Sequence, residues 1–159
     1  RRLAILAQHK LTIADIQEVI ASMGPLDGAK EFLTWLRERC QVVILSDTFY
    51  QFALPLMRQL GFPTLLCNQL EIDGNGNILA HHMRMQNQKK HSVAAFKALN
   101  FFTLAAGDAY NDTAMLGEAD AGFFFCPPEH LPKEFPQFPV TRTYAELQAR
   151  FATAGKLSR

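Results

Sequence analysis

Apolar positions recur along the chain in two alternating rhythms. Leu3, Leu6 and Ala7 repeat at helical spacing over residues 1–9. Residues 12–22 place Ile13, Ile16, Val19 and Ile20 on one face, with Thr12 as N-cap, which predicts a second short helix. Gly24-Pro25 interrupts that pattern, as glycine and proline do between elements, and marks a junction. An amphipathic helix follows over residues 28–39, with Phe32, Leu33 and Leu36 inward and Arg37, Glu38 and Arg39 outward.

The rhythm then changes. Val42-Val43-Ile44-Leu45 is uninterrupted and apolar, the pattern of a strand buried on both faces. Helical spacing returns over residues 50–60 and stops at Gly61. Thr64-Leu65-Leu66-Cys67 predicts a second apolar strand, and residues 69–85 a hairpin turning at Asp73-Gly74-Asn75-Gly76. A helix at 89–99, a strand from Phe101 to Ala106, a short helix at 112–119 and a strand at 121–125 come next. A proline-rich connection over 127–139 leads to a last helix near 143–153. Strands alternating with helices predict an α/β fold, a parallel sheet with helices on its faces.

Composition narrows the function classes. The 159 residues suit one domain, and the 48% hydrophobic content lies in the globular range. A net charge of +1 provides no electrostatic basis for capturing nucleic acid or an anionic membrane. Cys40, Cys67 and Cys126 are far apart, without CxxC spacing. That excludes a disulfide framework or a cysteine-based zinc site and fits a reducing cytoplasm. No apolar run approaches the roughly 18 residues of a membrane span, and no signal peptide is visible. The chain opens at Arg1 without an initiator Met, as a fragment or a processed form would.

In an open parallel sheet, ligands sit beyond the carboxyl ends of the strands. Two polar runs stand there. Ser46-Asp47-Thr48 follows the strand ending at Leu45. Its plain reading is a helix N-cap; its functional reading is a phosphate held by the Ser46 hydroxyl and nearby backbone N–H groups. Gly107-Asp108-Ala109-Tyr110-Asn111-Asp112 follows the strand ending at Ala106. Asp108 and Asp112 offer hard oxygen ligands and negative charge for Mg²⁺, or one of them orients a neighbour; a solvated loop is the plain alternative. Lys89 and Lys90 open the helix before that strand, where the helix dipole disfavours cations unless an anion accompanies them.

Other patterns fail. The loop from Asp73 imitates an EF-hand, but Ile78 stands where glycine is needed and Arg84 where glutamate is needed. His81 and His82 are adjacent, so on a strand they point to opposite faces and cannot share a metal. There is no GxSxG, P-loop or GxGxxG.

The order of Val42-Val43-Ile44-Leu45-Ser46-Asp47, then Lys89, then Gly107-Asp108-Ala109-Tyr110-Asn111-Asp112 resembles the second, third and fourth motifs of the haloacid dehalogenase-like phosphatases. The stretches Asp15–Ile20, Trp35–Arg39, Leu56–Thr64 and Glu134–Pro139 are similar to one subgroup, the bacterial bifunctional phosphoserine phosphatase/homoserine phosphotransferases. The resemblance implies a Rossmann-like core over residues 25–159 and the C-terminal part of a small helical cap over 1–24. It implies phosphoserine hydrolysis through an aspartyl-phosphate with Mg²⁺, with homoserine as a further acceptor. Carried over, Ser46 hydrogen-bonds the phosphoryl group, Lys89 neutralises it, Asp108 ligates Mg²⁺, and Asp47 and Asn111 contact substrate. Asp112 supports the lysine and the metal shell, and Arg2 grips the substrate carboxylate with its bidentate fork. Lys90 replaces Lys89 if the register slips by one. The family's first motif, an apolar strand ending Asp-x-Asp or Asp-x-Glu that supplies nucleophile and general acid, has no counterpart here. It is expected upstream of Arg1.

Overall fold

The structure, a computed structural model, describes residue 5, residues 8–9 and residues 11–157. Most of the helix expected over residues 1–9, and Arg2 with it, lies outside the described residues. Helix α1 (Ile13–Ser22) is capped by Thr12 as its sequence predicts, and the structure adds Asp15, which closes a capping box by accepting from the Thr12 backbone N–H at 2.7 Å. Helix α2 covers Ala29–Arg37. Leu33 and Leu36 are buried as expected, but Arg39 lies over the Trp35 ring at 4.8 Å and donates to the Trp35 carbonyl. Its planar guanidinium stacks where a solvated cation was expected.

The chain divides into two compact units, residues 1–33 with 41–86 and residues 34–40 with 87–159. In the first unit, β1 (Val43–Phe49) pairs in parallel with β2 (Thr64–Ile72), which pairs antiparallel with β3 (Ile78–His82). β1 is longer than its apolar run because the register shifts between Leu45 and Phe49, carrying Ser46, Asp47 and Thr48 through a bulge before Phe49 meets Asn68. The three residues therefore do not cap the next helix. Helix α3 (Tyr50–Gln59) has Phe49 at its N-cap position, without a side-chain hydrogen bond. Val43, Ile44 and Leu45 are half-buried where two covered faces were expected, since β1 stands at the edge of its sheet.

Helix α3 contains Pro55, which lacks the N–H that would reach the Gln51 carbonyl one turn back. Gln17 of α1 supplies the missing donor, its Nε2 reaching the Gln51 oxygen at 2.7 Å. Gln59 Nε2 donates to the Met23 carbonyl at 2.9 Å, so amide side chains tie both ends of α3 to the middle and the C-cap of α1. Gly61 ends α3 at φ 71°, and the Phe62 N–H returns to the Met57 carbonyl at 2.8 Å.

In the second unit, β4 (Leu104–Gly107), β5 (Ala121–Phe125) and β6 (Val140–Thr141) form an all-parallel sheet in that order. Helix α4 (Gln88–Ala98) precedes β4. A 3₁₀ turn (Tyr110–Asp112) and α5 (Thr113–Glu118) stand where one helix was expected, and α6 (Leu131–Glu134) and β6 arise within the proline-rich connection and its end. Helix α7 (Tyr144–Ala154) is capped by Thr143. β4 starts later than its sequence suggests. Phe101 and Phe102 are exposed, and the Thr103 N–H and hydroxyl both donate to Asp120, at 2.7 and 2.8 Å, ahead of the ladder. The expected α/β architecture is present, with its strands in two three-stranded sheets.

Most of the core belongs to this unit. Phe124 is fully buried and meets Phe138 edge-on at 5.4 Å, while Phe123 packs on Phe151 at 5.5 Å. Replacing Phe124 by Ala removes that aromatic contact and leaves a cavity, with an expected loss of about 3–5 kcal/mol in urea unfolding. A loss below about 1 kcal/mol would show that the site collapses freely.

Candidate functional site

β4 delivers its carboxyl end at Gly107, and the chain turns at once. Asp108 is exposed, Asn111 is exposed on the 3₁₀ turn, and Asp112 is buried. Three donors surround the Asp112 side chain. Lys89 Nζ donates to Oδ1 at 2.8 Å, and the backbone N–H groups of Asp108 and Ala109 donate to Oδ2 at 3.0 and 3.1 Å. The two side chains of the ion pair are only 12% and 7% exposed, so solvent screens them little.

Lys89 stands in the first turn of α4, behind Asn87 at φ 50° with no side-chain cap bond. A cation there opposes the helix dipole, and the anion of Asp112 offsets that cost. Lys90, one residue on, lies 3.8 Å from Glu118 and is half-exposed. The structure thus brings Lys89, rather than Lys90, to Asp112. Gly107 has no role in the sequence reading, yet a Cβ there would collide with the Asp112 side chain. The run of small residues from Ala105 to Gly107 was the signal for this close approach.

Ser46 and Asp47 stand in the first unit, in the bulge of β1. Ser46 is half-buried and its Oγ accepts from the Thr48 N–H at 3.2 Å, while Asp47 is exposed. Arg2 lies outside the described residues. His81 and His82 diverge as adjacent strand residues must: His81 meets the Phe49 ring and His82 pairs with Glu71 at 3.2 Å. Among the described residues, no three His, Cys, Asp or Glu side chains converge to hold a metal.

The cysteines supply no activated thiolate in the cores. Burial pushes the Cys67 thiol up to about 11 and also raises that of Cys40. Cys126 is exposed, its Sγ donating to the Arg142 carbonyl at 3.2 Å.

A family model described as haloacid dehalogenase-like hydrolase matches residues 2–117, a span holding Ser46, Lys89, Asp108 and Asp112. The chain belongs to the haloacid dehalogenase-like hydrolases. Within this hydrolase family it is 56% identical over 158 residues to phosphoserine phosphatase ThrH of Pseudomonas aeruginosa, covering 99% of the chain and 77% of that protein. It is 56% identical over 154 residues to a phosphoserine phosphatase of Pseudomonas syringae pv. tomato, covering 97% of the chain and 65% of that protein. Solved structures share the hydrolase fold. A substrate-bound phosphoserine phosphatase complex matches at TM-score 0.73 and 22% identity, covering 87% of this chain and 70% of that one. A phospho-aspartyl intermediate analogue of phosphoserine phosphatase matches at TM-score 0.71 and 21% identity, covering 88% and 70%.

Lys89→Met strands a buried carboxylate and is expected to cost about 3 kcal/mol in denaturant unfolding. Asp112→Asn in the same background should recover part of that loss; a purely additive double variant would show that the two charges do not act as a pair. At about pH 8 the Cys67 thiolate fraction is about a thousandth, so native-state alkylation read by mass spectrometry should mark Cys126 well before Cys67. Equal rates at both would contradict the burial of Cys67.

Proposed function

We propose that this chain is the larger part of a phosphoserine phosphatase that works through an aspartyl-phosphate. The 56% identity to the P. aeruginosa phosphoserine phosphatase, over 99% of the chain, carries this reading. The Lys89–Asp112 pair behind the exposed Asp108 supports it, because phosphoryl transfer is catalysed mainly by positioning and charge stabilisation.

In this reading Ser46 hydrogen-bonds the phosphoryl group and Lys89 neutralises its charge, held in place by Asp112. Asp47 and Asn111 contact substrate, and Arg2 grips its carboxylate. The exposed Asp108 carboxylate would be the Mg²⁺ ligand, while Asp112 accepts from Lys89 at Oδ1 and from two backbone N–H groups at Oδ2. Mg²⁺ commonly takes one or two carboxylates and completes its shell with water and substrate oxygens. When bound, it supplies positive charge to the transferring phosphoryl group.

Covalent transfer needs a nucleophile, and we place it, with the general acid, on a strand preceding Arg1. Among the described residues, β1 and β4 each stand at one end of a three-stranded sheet. Such edges favour pairing with a further strand. Residues 1–24 then complete a helical cap over a core of residues 25–159. Water as acceptor releases L-serine and phosphate; homoserine is a further acceptor of the same phosphoryl group. Three unbridged cysteines support a cytoplasmic site of action.

The test is phosphate release from L-phosphoserine, with Mg²⁺ and with chelator, by the protein as its organism makes it and by residues 1–159 alone. The natural protein should be active only with metal, and Asp108→Asn should lower its turnover by about 10²-fold or more. Residues 1–159 alone should be inactive. Release by residues 1–159 would overturn the upstream nucleophile, and inactivity of the natural protein would overturn the phosphatase reading in favour of a non-catalytic domain.

A further inference from the structure

β2 changes partner in mid-strand: residues Thr64 to Leu66 and Asn68 run parallel to β1, and Gln69 to Ile72 run antiparallel to β3. Where a strand passes from one neighbour to the other, ladder hydrogen bonds lapse on both sides, and buried main-chain groups there need other partners. Asn68 stands at that point and is 1% exposed. Its Nδ2 donates to the Asp47 carbonyl at 2.9 Å and its Oδ1 accepts from the Arg84 N–H at 2.9 Å. An amide has one donor end and one acceptor end, as a peptide group does, so it bridges the two neighbours at once.

The bond to Asp47 falls within the β1 bulge, between Ser46 and Thr48. It sets the orientation of the Asp47–Thr48 peptide, whose N–H donates to Ser46 Oγ at 3.2 Å. We infer that Asn68 is a positioning residue for the reaction, its buried amide holding the Ser46-Asp47-Thr48 bulge so that the Ser46 hydroxyl meets the phosphoryl group. This inference rests on the phosphoserine phosphatase reading for Ser46. Asn68 touches no substrate; it acts through the backbone of Asp47. A buried Asn in an otherwise apolar strand costs stability unless both its ends are satisfied, and both are.

The test uses Asn68→Leu, Asn68→Asp and, as the loss of one buried hydrogen bond elsewhere, Thr141→Val, in the protein as its organism makes it. Thr141 Oγ1 donates to the Phe124 carbonyl at 2.8 Å in the second unit, away from the bulge in sequence and fold unit. Per folded molecule, Asn68→Leu should lose about 10²-fold in phosphoserine turnover, the scale of a roughly 1 Å misplacement, while Thr141→Val keeps its turnover. Asn68→Asp keeps the acceptor for Arg84 but donates to Asp47 only when protonated. Its turnover relative to the unsubstituted protein should therefore rise as pH falls from about 8 to about 6, burial favouring the neutral carboxyl. Asp47 on β1, Arg84 after β3, Cys67 on β2 and Tyr50 of α3, bonded to Arg84, are the ionisable groups around that position. Amide exchange at Thr48 should quicken in Asn68→Leu. Unchanged turnover in Asn68→Leu, a flat ratio for Asn68→Asp, or unchanged exchange at Thr48 would each overturn the inference. If the unsubstituted protein releases no phosphate, the phosphatase reading fails, and Thr48 exchange alone decides whether Asn68 holds the bulge.

Discussion

Burying the carboxylate of Asp112 is the constraint on which the site depends. A buried carboxylate needs donors in place of its hydration, and at this side chain, 7% exposed, three stand close: Lys89 Nζ and the N–H groups of Asp108 and Ala109. Three structural decisions bring these donors to Asp112. α4 must begin so that Lys89 faces Asp112. β4 must end at Gly107, where a side chain would collide with Asp112. The chain must then turn tightly enough for Asp112 to reach back to the amides of Asp108 and Ala109. What remains outward is Asp108, a carboxylate free of that clasp and open to solvent. One acid is thus held by the fold and the other faces solvent.

The first unit meets the same demand without charge. β2 serves two neighbours in turn, α3 carries a proline in its body, and each leaves main-chain groups that regular structure does not pair. Side-chain amides answer both cases, Asn68 at the strand handover and Gln17 at the Gln51 carbonyl. An amide suits this task because it carries donor and acceptor with no net charge to desolvate. The apolar core contributes less here than in the second unit, where Phe123, Phe124, Phe138 and Phe151 lie together.

Much of the fold was legible from periodicity. Thr12 as N-cap, the helical face of Leu33 and Leu36, the turn from Asp73 and the strand at β5 all reappear as elements. Strand ends were less legible, because hydrogen-bond ladders and not hydrophobicity decide them. Phe101 and Phe102 read as strand but are exposed, while Asp120 takes up the N–H of Thr103 that follows them. Ser46, Asp47 and Thr48 read as a cap but run on as strand, since Asn68 and the bulge draw them against β2. Of the candidate residues, Lys89, Asp108 and Asp112 were visible as a motif. The packing role of Gly107, though it stands in that motif, and the role of Asn68 were not, since they lie in a missing side chain and in a strand partner 21 residues away.

By itself the sequence determined the alternation of strands and helices and which residue types stand at the strand ends, because both follow from local spacing and composition. It also determined membership in a hydrolase family, since its motifs and their order need no coordinates to match. Only tertiary structure decided that Lys89 rather than Lys90 meets Asp112, that Asp112 turns inward while Asp108 stays out, and that Asn68 spans two strands. Those outcomes depend on desolvation and on hydrogen bonds between segments distant in sequence. A buried polar group takes whichever partner the fold brings within about 3 Å, and no local pattern specifies which that is.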